Sequence, residues 1–160
     1  MNVFATNIVL AVIWSALLGE LSLFNLCSGF ALGFAALWVV QPLTGSSSYF
    51  FRVWAWAKLV VMFHYELVVS SIEVAWDVLT PRHRARPAIL EMPLDVKTDA
   101  GILLVTNLIS LTPGTLSLDV TDDRKTLKIH AMFADDPEAL LRSLKSGMER
   151  WVIDAVEGDE

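Results

Sequence analysis

Five ionisable side chains share one helical face in a stretch that is otherwise poor in charge: Arg52, Lys58, Glu66, Glu73 and Asp77. At about 100° per residue they fall within an arc of about 120°, with His64 on the opposite side. A carboxylate within an apolar membrane helix can hold a proton or a cation, so Glu66 is a candidate for contact with an ion path. Glu73 and Asp77 belong nearer the aqueous end of the same helix. The plainer role is structural, with Arg52 and Lys58 balancing the acids along a stripe that faces protein or water rather than lipid.

Other chemistry is hard to find. There is no phosphate-binding P-loop, dinucleotide fingerprint or Gly-x-Ser-x-Gly elbow. His64, His83 and His130 fall in three different elements without metal-ligand spacing. Cys27 sits in an apolar run with no base near it, where a small buried hydrophobe is expected. Asp122 and Asp123 read as turn residues rather than as an acid–base pair. The expectation is a protein that is not an enzyme, with no catalytic, cofactor-binding or metal-ligating residue and no cofactor. A net charge of −6 over 160 residues argues against nucleic acid as a partner.

The elements that must position the charged face follow from where charge is missing. Residues 1–80 carry six of the Asp, Glu, Lys and Arg side chains and residues 81–160 carry twenty-four. Glu20 is the one charged residue before Arg52. A bilayer explains that depletion, because a charge at mid-depth costs about 2.5–3.5 kcal/mol on insertion scales. The mean hydropathy of +0.53 fits a membrane half joined to an aqueous half. Residues 1–80 are expected to form a membrane domain with segments at about 3–19, 21–40 and 49–79. Gln41-Pro42 should stop the second segment, and Thr44-Gly45-Ser46-Ser47-Ser48 should form a loop. The third, thirty-one residues without Pro or Gly, would reach about 46 Å, longer than a hydrocarbon core. It either spans with its stripe against a partner, the favoured reading, or lies in the interface as an amphipathic helix. Gly29 and Gly33 form a GxxxG pair, and Ala11, Ser15 and Gly19 a small-residue stripe; together they suggest a tight hairpin or an inter-subunit contact.

Residues 81–87 form a basic linker whose Arg82, Arg84 and Arg86 mark the cytoplasmic side. Three spans would place the N-terminus outside, and two would place it inside. Residues 88–157 read as a small α+β domain in the order β-α-β-β-α. Ala88–Val96 is strand-like, with Pro93 at an edge. Thr98 or Asp99 caps a helix to about Ser110. Thr115–Val120 and Thr126–Met132 form a hairpin, with Leu116, Leu118 and Val120 on one side of the first strand. Asp136-Pro137-Glu138 opens a last helix to about Val156, whose apolar side carries Leu140, Leu141, Leu144, Met148 and Trp151.

The run from Asn107 to Val120, containing Ser110-Leu111-Thr112-Pro113-Gly114-Thr115, and the following Asp122–Leu127 and Ile129–Met132 resemble one known family. The N-terminal residues Asn7, Trp14, Gly19, Asn25, Gly29 and Gly33 agree. The chain is similar over essentially its whole length to the E subunit of the multi-subunit Mrp-type (Mnh or Pha) cation/proton antiporters of bacteria. The resemblance implies an accessory subunit of a plasma-membrane complex that exchanges Na+ for protons, with a cytoplasmic C-terminal domain. Its partners would be the other antiporter subunits and the lipid bilayer, with Na+ and H+ moving through the complex. Gly29, Gly33, Thr112, Pro113, Gly114 and Thr115 are then candidates for subunit-interface or structural roles. The alternative is a membrane-anchored sensor whose α+β domain binds a small ligand.

Overall fold

The computed structural model describes residues 3–44, 48–81 and 85–158. Most of the expected loop after Thr44 and the Arg82-His83-Arg84 part of the linker lie outside them. The chain divides into two compact units, Met1–Phe51 and Arg52–Glu160.

The first unit holds α1 (Val3–Leu17), α2 (Leu23–Thr44) and the first turn of α3 (Tyr49–Leu79). Asn7, Ala11 and Ser15 recur every four residues and are the buried residues of α1. The large apolar side chains of α1, such as Phe4, Val9, Val12 and Leu17, remain exposed, as a lipid-facing surface requires. The corner is built by polar bonds rather than by apolar packing. Gly19 adopts a φ of +77°, open to glycine at little cost. The Glu20 carbonyl accepts from the Ser15 hydroxyl at 2.8 Å and from Asn25 Nδ2 at 2.9 Å. The Ser22 hydroxyl accepts from the Asn25 backbone N–H at 3.1 Å and starts α2. That helix runs through Gln41-Pro42 to Thr44 rather than stopping at Val40. Pro42 lies in its last turn, where the missing N–H interrupts a ladder that is about to end.

The second unit holds the rest of α3 and an α+β domain: β1 (Ala88–Pro93), α4 (Asp99–Leu111), β2 (Thr115–Val120), β3 (Thr126–Ala131), α5 (Pro137–Leu144) and α6 (Arg150–Val156). The sheet is antiparallel in the order β1-β3-β2. Leu127, Ile129 and Ala131 of the central strand are fully buried on the helix side. Met92, Ile102, Val105, Leu108, Ile109, Leu144, Met148, Val152 and Ala155 complete the core, and Ala55 and Leu59 of α3 belong to the same cluster. Pro93 ends an edge strand, where its missing N–H interrupts no central ladder.

Two elements depart from simple periodicity. In β2 the register shifts between Ser117 and Asp119. The bulge flips the alternation, so Leu116 and Leu118 stand about half exposed while Val120 packs on the core. The three therefore do not share a side. The inward-facing hydroxyls of Thr115 and Ser117 bond instead to carbonyls of α4. The last helix is interrupted by a π-turn at Lys145–Glu149, whose wider turn changes which side chains face the core. Val152 is then fully buried where Trp151 is only half-buried, and Glu149 joins Met148 inside.

Candidate functional site

The five charges of α3 remain on one side of the helix and do not converge. Arg52, Lys58 and Glu73 are exposed, Glu66 is half-buried and Asp77 is buried. Arg52 and Asp77 each take part in a polar interaction. From Arg52 to Asp77 the helix rises about 37 Å, so these groups form a line rather than a cluster. The helix's hydroxyls turn back on it: Ser70 donates to the Glu66 carbonyl at 2.8 Å and Ser71 to the Leu67 carbonyl at 2.6 Å. His64 Nδ1 donates to the Val60 carbonyl at 2.7 Å. Among the described residues no group of three or more His, Cys, Asp or Glu side chains could hold a metal ion.

Gly29 and Gly33 face α1 within the hairpin. A methyl on Gly29 would stand 2.9 Å from both the Ala11 carbonyl oxygen and Trp14 Cβ. One on Gly33 would stand 2.2 Å from Asn7 Oδ1. The GxxxG pair and the Asn7/Ala11/Ser15 stripe thus serve one helix–helix contact, in which small residues let two backbones approach. Asn7, fully buried, donates from Nδ2 to the Tyr49 hydroxyl at 2.7 Å, while its Oδ1 has no hydrogen-bond partner. Phe4 and Phe34 pack on the Tyr49 ring at 6.1 and 5.9 Å between centroids. This polar bond, flanked by aromatic rings, ties the start of α3 to the hairpin.

Thr112, Pro113, Gly114 and Thr115 form the joint between α4 and β2. Thr112 is buried; its hydroxyl donates to the Leu108 carbonyl at 2.9 Å. Thr115 is half-buried, and its hydroxyl donates to the Ile109 and Thr112 carbonyls at 2.7 and 3.1 Å. The Leu108 and Ile109 carbonyls in the last turn of α4 are satisfied in this way. Gly114 has a φ of +91°, and its carbonyl accepts from the Met132 N–H at 2.7 Å. A methyl there would meet the Phe133 ring at 3.4 Å and Val74 of α3 at 3.8 Å.

Two acids of the last helix do work that sequence periodicity did not reveal. Glu149 is buried, and its Oε1 accepts from the Asp95 and Val96 N–H groups at 2.6 and 3.2 Å. Its Oε2 stands 3.2 Å from Lys145 Nζ, close enough to pair but not aligned as a hydrogen bond. Lys145 also donates to the Pro93 carbonyl at 2.6 Å and pairs with Asp95 at 2.8 Å. Burial pushes the Lys145 ammonium down, but its bonds to Asp95 and Glu149 outweigh that and hold it above the ordinary lysine value. Two turns past the π-turn, Glu157 Oε1 accepts from the Lys97 N–H, the Thr98 N–H and the Thr98 hydroxyl at 2.9, 2.7 and 2.7 Å. Burial pushes its carboxyl up, and these bonds more than reverse the effect, leaving it below the ordinary value. Both acids clamp the loop before α4, where Thr98 caps the helix. Asp123 sits below its ordinary value mainly through the Thr121 hydroxyl, as a hairpin-turn acceptor. An open groove of about 750 Å³ beside the clamp is lined by Asp95, Glu138, Arg142 and Lys145, whose charges already pair with one another.

An apolar helical hairpin, a long helix with a charged side and a small α+β domain define a membrane-anchored protein with an appended α+β domain. Residues 7–155 match the family model described as Na+/H+ ion antiporter subunit, MNHE. The chain belongs to that family. It is 34% identical over 151 residues to the E subunit of the Na(+)/H(+) antiporter of Alkalihalophilus pseudofirmus, covering 94% of this chain and 96% of that one. It is 36% identical to the E1 subunit of the Na(+)/H(+) antiporter of Staphylococcus haemolyticus, covering 94% and 95%. Among solved structures, a chain of the Mrp complex from Dietzia sp. is similar at 25% identity and a TM-score of 0.50, over 62% of this chain and 94% of that one. The family is a transporter component, and its membrane setting agrees with the apolar helices.

Proposed function

We propose that this chain is an accessory subunit of a multi-subunit Na+/H+ antiporter of the bacterial plasma membrane, with no enzymatic activity of its own and its α+β domain in the cytoplasm. The observation that carries this reading is the end-to-end likeness to antiporter E subunits on a chain whose α3 charges are strung out along the helix. A path for Na+ or H+ needs several ionisable groups in relay; here Glu66, Glu73 and Asp77 lie along about 16 Å of one helix and the hydroxyls between them bond to their own backbone. Transport therefore belongs to the partner subunits, and this chain supports their assembly and activity. The arginines Arg82, Arg84 and Arg86 next to the membrane exit support a domain on the inner side by the positive-inside rule. The test is to tag the C-terminus, extract the native membrane in mild detergent and identify what travels with the chain. Larger hydrophobic subunits in fixed ratio support the reading. A chain that purifies alone refutes it and redirects attention to a ligand of the α+β domain.

A further inference from the structure

We propose that α3 lies along the membrane surface, with the α+β domain on one side and the lipid headgroup–acyl boundary on the other, so that only α1 and α2 cross the bilayer. Length and composition alone allow α3 to span. The packing within the second unit does not. Ala55 and Leu59 are buried in the same cluster as Met92, Leu108 and Val152, and Phe63 packs on it. Further along, Val74 Cγ2 lies 3.8 Å from where a Cβ on Gly114 would stand, at one end of the sheet. Ala55 and Val74 are about 28 Å apart along the helix axis, so α3 meets the domain near both ends of that length. A span needs about 20 residues clear of water, and residues 49–54 are all that precede the seat. Asp77, buried on the same face, extends the seat by a turn.

The opposite face names the occupant. Trp54, Val61, Tyr65, Val68, Ile72 and Trp76 point outward within an arc of about 80°, and each is more than half exposed. Trp and Tyr rings mixed with aliphatics are the side chains that partition to the interface, where a surface helix sinks about 5–10 Å. Lys58 lies in the same arc and can reach headgroup phosphates. His64 and Ser71 lie on the flank, toward water. The chain also arrives at the right place: α2 leaves the bilayer at Thr44 and α3 starts at Tyr49. The topology that follows puts the N-terminus on the same side as the α+β domain.

The test uses the full chain in its native-lipid complex, with Cys27→Ser as background and single spin labels at Val61→Cys, Val68→Cys and Ile72→Cys. Oxygen and a water-soluble nickel chelate then report depth. A surface helix gives the same shallow depth at all three sites, about 5–10 Å, while His64→Cys and Ser71→Cys remain open to the chelate. A depth that rises toward the bilayer centre near Val61 and falls again by Ile72 overturns the proposal in favour of a span. Sites closed to both reagents overturn it in favour of a protein partner. As a second readout, epitopes at the two ends must be protected or exposed together; protection of one end only overturns it. Co-purification with antiporter subunits is a separate outcome, so failure of either idea is distinguishable from failure of the other.

Discussion

Replacing Gly33 by Ala tests the hairpin contact atom by atom. The added methyl would stand 2.2 Å from Asn7 Oδ1 and 3.3 Å from Leu10 Cβ, so Asn7 must move by about 1 Å or more to restore ordinary contact. Asn7 is fully buried and tethered by its 2.7 Å bond to Tyr49, and moving it breaks that bond. Hydrogen bonds between membrane helices contribute about 0.6 kcal/mol on average and at most about 1.7. Overpacking adds about 1–3 kcal/mol. Gly33→Ala should therefore destabilise the hairpin by about 2–4 kcal/mol, and Asn7→Ala by about 0.6–1.7. In the double variant the obstructing carboxamide is gone, and the 3.3 Å contact with Leu10 Cβ needs a shift of only a few tenths of an ångström. Its loss should match Asn7→Ala alone, a coupling equal to the Gly33→Ala cost itself, about 2–4 kcal/mol in favour of the pair. Gly29→Ala supplies the contrast. Its methyl meets the Ala11 carbonyl oxygen at 2.9 Å and Cα at 3.0 Å, backbone atoms that truncating Asn7 does not remove. Asn7→Ala and Gly29→Ala should then add within about 0.5 kcal/mol. Equilibrium unfolding by steric trapping in bicelles measures all five variants. If Asn7→Ala fails to rescue Gly33→Ala, the assignment of the clash to Asn7 is wrong.

Glu149→Ala should leave two N–H groups of the β1–α4 loop without their acceptor and strip Lys145 of its buried carboxylate partner while Asp95 and the Pro93 carbonyl remain, a loss of about 3–5 kcal/mol that approaches the whole stability of a small domain. Limited proteolysis of the full chain should then cut within residues 88–157, whereas Glu149→Gln, which keeps an acceptor, should resist at moderate protease. Gly114→Ala forces a φ of +91° on a side chain that disfavours it; a cost of about 1–2 kcal/mol should appear as a lower melting temperature, with Ala at Gly147, where the nearest atom is 3.6 Å away, as the near-neutral control. The lowered Glu157 carboxyl sets a pH dependence: its contribution is complete above the unfolded value of about 4.3 and is lost as pH falls through the lower folded value. Thermal melts between about pH 6 and pH 3 should show a shallower acid decline for Glu157→Gln than for the parent chain; equal slopes would refute the clamp.

Much of this architecture is legible in the residues because strong signals act locally. A fifty-residue run almost free of charge, a thirty-one-residue helix without Gly or Pro, and the Asp136-Pro137 helix start each declare an element by themselves. What stays hidden arises from one inserted residue. The bulge at Leu118 and the π-turn at Lys145–Glu149 shift the register of faces that periodicity extrapolates straight through. Glu149 is invisible for the same reason, since an acid beside Lys145 on a helix reads as a surface i,i+4 pair until the π-turn brings it inside. The charged stripe of α3 is legible as a stripe, but its depth is not. Spacing reports angle around a helix axis and says nothing about whether that axis lies along or across a bilayer.

The residues that carry the family likeness make a further point about where an accessory subunit keeps its function. Gly19, Asn25, Gly29 and Gly33 shape one corner and one helix contact, Asn7 ties that hairpin to α3, and Thr112–Thr115 close one joint of the α+β domain. All make their contacts within this chain, so altering any of them should act first on folding. Loss of antiporter activity in such variants would therefore say little about contact with other subunits. The informative positions are those the fold does not use: Leu103 and Leu111 on the outer side of α4, and Ile89, Leu116 and Leu118 on the open side of the sheet, all about half exposed or more. A polar substitution there should leave the melting temperature within about 0.5 kcal/mol of parent stability, since surface changes rarely exceed that. Leu103→Lys or Leu116→Lys that keeps a folded, membrane-inserted chain but prevents its co-purification with larger subunits would locate the assembly surface. Full co-purification of both would exclude these two faces of the domain and leave the helices as the contact.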